Sequence, residues 1–74
     1  MAKKSRDIEK GYSAADYAEK LRRLADAIEN STKFEIQIAG ERVYMPVRAE
    51  FSIEHERGDD EEEIEFQIKW KLND

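Results

Sequence analysis

The chain has 74 residues, a single histidine, no cysteine and a net charge of −5, with 42% of its residues charged. That length supports one domain near the lower limit for a single hydrophobic core, burying only about 60% of its unfolded surface. The composition excludes disulfide staples and thiolate metal sites, and the negative balance argues against a dedicated nucleic-acid binder. Because the apolar residues recur with strict periods, the high charge reads as a solvated surface and not as disorder.

Residues 1–5, MAKKS, are basic and no apolar run follows them. They read as a disordered basic tail and not as a signal peptide, and residues 6–74 as the single domain. No stretch reaches membrane-spanning length, so a cytoplasmic protein with no membrane association is expected. Arg6 to Tyr12, RDIEKGY, offers a short first strand with Ile8 and Tyr12 facing inward. Lys10 and Gly11 suit it to a sheet edge.

Ser13 is a good helix N-cap, and Asp16 places negative charge in the first turn. Tyr17, Ala18, Leu21, Leu24, Ala25 and Ile28 form an apolar stripe at helical spacing, with Ala14 behind them. Asp16, Glu19, Lys20, Arg22, Arg23 and Asp26 fall on the far face. The helix is expected to stop near Asn30, in the left-handed conformation that asparagine tolerates.

Phe34, Ile36 and Ile38 alternate with Glu35 and Gln37 as a strand, and Ala39-Gly40-Glu41 supplies a turn in which Gly40 takes positive φ. Val43, Met45, Val47, Ala49, Phe51 and Ile53 then share one parity. Pro46 removes a ladder donor, so two segments, 42–46 and 48–57, are expected on either side of a bend. After the turn Arg57–Glu62 comes the strongest pattern in the chain, EIEFQIKWKL at 63–72. It sets Ile64, Phe66, Ile68, Trp70 and Leu72 on one face.

Pairing His55 with Ile64, Ile53 with Phe66 and Phe51 with Ile68 also puts small Ala49 opposite Trp70, and Glu50 opposite Lys69. A register two residues along keeps the faces as well. The predicted core is therefore Tyr17, Leu21, Leu24 and Ile28 from the helix, Phe34, Ile36, Ile38, Val43 and Met45 from the first hairpin, and Phe51, Ile53, Ile64, Phe66, Ile68 and Trp70 from the second.

The fold class is α+β: a short N-terminal strand and one amphipathic helix packed on one face of an antiparallel meander sheet of four to five strands. Such a sheet is roughly 20 Å wide, and a helix about 10 Å across shields only part of it. Either strong twist wraps the sheet round the helix, the default for a small sheet, or apolar surface stays open for a partner, a ligand or a second copy.

Few residues carry reactive chemistry. His55 shares the apolar parity near the solvent end of its strand, and Ser52 has the opposite parity, so the two do not couple. The acids of the second hairpin read as solvated, with ordinary proton affinities unsuited to acid–base work. Asp59 to Glu63 lack the spacing of a calcium loop, and the glycines are isolated from one another. No catalytic residue, cofactor or specific metal is expected, and the chain is not read as an enzyme.

The charges do segregate. Glu54, Glu56, Asp59, Asp60, Glu61, Glu62, Glu63 and Glu65 gather at one end of the hairpin as a candidate partner surface, with Arg48, Lys69 and Lys71 at the other. The expected function is a binding or accessory module for a protein partner or for self-association. The alternative is a weak nucleic-acid contact through Arg48, Lys69 and Lys71, for which the outward face has only Tyr44 as a stacking aromatic.

From Lys10 to Leu72 the pattern resembles the amphi-Trp domain, a family of small bacterial and archaeal proteins. The features that carry the resemblance are Ser13 opening the helix, YAEKLRRLADAIE at 17–29, and EIEFQIKW at 63–70 ending in Trp70. Asn30-Ser31-Thr32 departs from the pattern, since a glycine is expected after the helix. The resemblance implies a strand–helix–meander fold and matches Trp70 to a defining residue. It implies no activity.

Overall fold

The computed structural model describes residues 5–72. Four of the five residues expected as a basic tail lie outside them. The architecture is α+β: helix α1, Ala14–Glu29, followed by strands β1, Phe34–Ile38, β2, Glu41–Met45, β3, Glu50–Arg57, and β4, Glu62–Lys69. The strands form two antiparallel ribbons, β1–β2 and β3–β4, and not one continuous meander sheet. The split falls at Pro46, which lacks an N–H for a ladder. Its carbonyl instead accepts from Ala49 N at 3.2 Å, closing a turn that sends β3 off on its own.

The expected N-terminal strand does not form, and residues 5–13 have no regular structure. A side chain anchors this segment in place of a backbone ladder. Arg6 donates to Ile38 O at 2.8 Å and pairs with Glu41 at 3.3 Å, beside the β1–β2 turn.

Helix α1 starts where Ser13 Oγ accepts from Asp16 N at 3.2 Å. At its other end Asn30 keeps φ at −93°, and the left-handed residue is Ser31, at φ 53°. Ser31 N donates to Ile28 O and Thr32 N to Ala27 O, the paired bonds of a Schellman cap. The cap geometry is thus the one a glycine would serve, built on serine. Asn30 contributes its side chain, donating to Asp26 O at 2.9 Å.

The helix is rolled about a quarter turn from its apolar stripe, judged at 100° per residue. Ala27 is its buried residue, Leu24 and Lys20 are half-buried, and Tyr17, Leu21 and Ile28 are exposed. Small Ala27 lets the backbone approach β1, while two residues expected to be solvated cover aromatic rings. The Arg23 guanidinium lies 5.2 Å from the Phe34 ring centre and the Lys20 ammonium 4.7 Å from that of Tyr12.

The core is correspondingly small. Ala27, Phe34, Met45 and Ala49 are buried, with Leu24, Ile36, Ile68 and Trp70 packed against them. Trp70 packs against this cluster, of which Ala49 is a buried member, at the base of the second hairpin. Ile38 and Val43 are half-buried.

Candidate functional site

Beyond that base the β3–β4 hairpin leaves the body of the molecule, which measures 42 × 28 × 24 Å. Its register is the one that pairs His55 with Ile64, Ile53 with Phe66, Phe51 with Ile68 and Glu50 with Lys69. Period-2 alternation then aligns Phe51, Ile53, Ile64 and Phe66 on one face. All four were expected in the core, yet they are 51%, 67%, 67% and 63% exposed. Helix α1 packs on β1, so no other element of the described residues lies over the outer half of the hairpin. Curling of the sheet does not close the gap, because the two ribbons share no ladder through which twist could wrap one round the other.

The consequence is a groove of about 620 Å³ between helix and hairpin. Leu24 and Ile28 form one wall; Phe51, Ile53, Phe66 and Ile68 form the other. Exposed Tyr17 and Leu21 extend the apolar helix face past it, into a second groove floored by Phe34 and Ile36. Two apolar stripes therefore face a shared open space, each displaced from the cover that its period calls for.

At the far end of the same face the hairpin turns polar. Glu62 Oε2 lies 2.8 Å from His55 Nε2 and accepts from Arg57 Nη2 at 2.8 Å and Nε at 3.2 Å. Hydrogen bonds from His55, then Arg57, hold the Glu62 carboxyl below its ordinary pKa. An exposed carboxylate held ionised in this way is a poor proton donor near neutrality. Glu62 is thus charge-paired by His55 and Arg57 while still lining the acidic tip with Glu56, Asp60, Glu61 and Glu63. Its parity, shared with Ile64 and Phe66, carries that signal in the sequence.

The opposite face gathers the other acids. Glu54 stands across from Glu65 and Glu56 across from Glu63, two like-charge pairs in succession. Glu63 is pushed above its ordinary pKa by the charge of Glu65, then by desolvation and by Glu56. Gln67 mediates beside them. Its Nε2 donates to Glu54 at 2.9 Å and Glu65 at 3.4 Å, and its Oε1 accepts from Ser52 at 3.1 Å. Asp59, Asp60 and Glu61 occupy the tip, closed by Gly58 N donating to Glu61 O at 2.8 Å. Among the described residues, no three acidic or histidine side chains converge as a metal cage.

Of the basic end, Arg48 donates to Lys71 O at 2.6 Å and so continues the β3–β4 register beyond both strands. None of the ion pairs found among the described residues uses Lys69 or Lys71. No helix of the described residues is long and apolar enough to cross a membrane.

A family model, that of the Amphi-Trp domain, matches residues 1–74, the whole chain. No curated protein and no solved structure matches it.

Proposed function

The chain belongs to the Amphi-Trp domain family, and we propose that it works as a non-enzymatic binding module, holding a protein partner or a second copy of itself on the open apolar face of its β3–β4 hairpin. The observation that carries this reading is the row Phe51, Ile53, Ile64 and Phe66, more than half exposed along one face. Fully burying such a side chain contributes about 1.5–3 kcal/mol, and half to two-thirds of that gain is still available at each of the four. Four partial burials amount to several kcal/mol, enough to offset much of the cost of bringing two molecules together. A cysteine-free chain of this kind fits a reducing compartment, and we place it in the cytoplasm.

A hydrophobic dye such as anilinonaphthalene sulfonate tests the face directly. The native chain should bind dye or associate with itself, and Ile53→Asp with Phe66→Asp should abolish both while helical circular dichroism is retained. A wild-type chain that stays monomeric and leaves the dye in water refutes the reading.

A further inference from the structure

The inference drawn next rests on that reading of the hairpin as the binding element, and it names the occupant and the mode of contact. We propose that two copies of the chain join along the free edge of β4, antiparallel about a two-fold axis at Gln67, so that Glu63 and Glu65 of each copy face Lys71 and Lys69 of the other.

Strand β4 pairs with β3 along one edge, and no described strand pairs with its other edge. Every second residue from 63 to 71, a run that passes two residues beyond β4 and is held in line there by Arg48 donating to Lys71 O, reads Glu63, Glu65, Gln67, Lys69, Lys71: two acids, a neutral centre and two bases. Turned end for end about Gln67, the row lays acids on bases, making four ion pairs around a Gln–Gln contact. The same rotation sets Ile64 against Trp70 and Phe66 against Ile68, apolar upon apolar. A shift of two residues either way keeps only two of the four ion pairs within 63–71. A shift of one flips the faces and opposes glutamate to isoleucine.

The β3 edge offers a poorer match. Continued to Arg48 as the β4 row is to Lys71, its outward row reads Arg48, Glu50, Ser52, Glu54, Glu56, and turned about Ser52 it lays Glu50 on Glu54 in both halves, like charge on like. A two-fold contact must be self-complementary, and β4 is the strand of this hairpin that is.

The isolated molecule also carries a charge arrangement that the contact relieves. Glu54 opposes Glu65 and Glu56 opposes Glu63, and like charges directly across a ladder destabilise it. Lysines 69 and 71 of a second copy would stand beside two of these four acids. A two-stranded hairpin is marginal in water on its own; joining β4 to its copy gives a four-stranded sheet, β3–β4–β4–β3, with one continuous apolar face. Affinity would come from main-chain bonds along the edge, and register from the charges.

Charge reversal tests the register. Sedimentation equilibrium should find wild type dimeric, dissociating as salt is raised. Glu63→Lys with Glu65→Lys in one chain, or Lys69→Glu with Lys71→Glu in another, should each weaken self-association about a hundredfold or more. Mixed, the two variants restore all four pairs and should form a heterodimer at wild-type affinity.

A second measurement stands even if a reversed variant fails to fold. Residues paired across an antiparallel ladder lie about 4.5–5.5 Å apart at Cα, within disulfide reach. Gln67→Cys in this cysteine-free chain should oxidise to a covalent dimer, and Glu56→Cys, far from the axis, should not. Wild type that is monomeric at every concentration, or reversed variants that dimerise as well as wild type, overturns the proposal. If that monomer still binds the dye, the open-face reading survives and the pairing alone falls; if it binds none, both fall.

Discussion

Phe34 and Ile53 have the same standing in the sequence, each an apolar residue in a clean alternation, and the structure separates them. Phe34 is 9% exposed, lies in the buried cluster and carries the Arg23 guanidinium on its ring. Ile53 is two-thirds exposed. Truncating a buried phenylalanine to alanine costs about 3–5 kcal/mol, and losing the cation–π contact adds up to about 1. A buried isoleucine costs about 2–5 kcal/mol on truncation, so one that is only a third buried should cost about 1. The whole domain has roughly 4–11 kcal/mol of stability. Phe34→Ala therefore removes a large share of it, while Ile53→Ala leaves most. Urea unfolding followed by far-ultraviolet circular dichroism measures both. With a slope near 1 kcal/mol/M for so small a domain, the midpoints should fall by about 3–6 M and about 1 M. The measurement belongs at a dilution where the chain is monomeric. Equal costs there would show that the hairpin face is buried within one molecule, which would refute the open groove.

Two backbone sites and one charge pair allow sharper tests. Ser31 holds φ at 53° without being glycine, so Ser31→Gly should raise stability by about 1 kcal/mol, read as a higher thermal midpoint. Ala39 and Gly40 both have positive φ in the two-residue β1–β2 turn, and Ala39→Asn should stabilise by about 0.5–1 kcal/mol while leaving that register unchanged. Glu62 and Glu63 should show opposite pH signatures in dilute protein. The native carboxyl of Glu62 is held below its ordinary pKa, so its stabilising contribution is present at neutral pH and lost as pH falls through the lowered value; Glu62→Gln should lower the urea midpoint at pH 7 and converge with wild type in acid. Glu63 is raised, so its charge weakens the native state at neutral pH and the penalty fades as pH falls through the raised value; Glu63→Gln should raise the midpoint at pH 7 and lose that advantage in acid.

Local signals in the chain proved legible where a single element decides them. The Ser13 cap, the Ala39-Gly40 turn, the bend at Pro46 and the pairing of His55 with Ile64 all depend on residues close in sequence or on one hairpin. Sequence reasoning went astray where an element had to choose between neighbours. Periodicity marked Tyr17, Leu21 and Ile28 as the helix's inner stripe but could not say that Ala27 gives the closest approach to β1. It also could not foresee that Arg6 would secure the N-terminal segment by its side chain and leave no strand there.

The same distinction explains the hairpin. Alternation along Glu62–Lys69 states that one face is to be covered; it does not state by which molecule. Cover from within the chain would require α1 to reach across both ribbons, and the turn at Pro46–Ala49 places the second ribbon beyond it. Charges are the part of the pattern that speaks to what the edge of the hairpin can join. Residues that served only solubility could be distributed in any order along the outer row, but these run from acid to base about Gln67. A strand so ordered is complementary to itself when reversed. Its apolar row stays open in the single chain, and its polar row fits the proposed edge contact with a second copy.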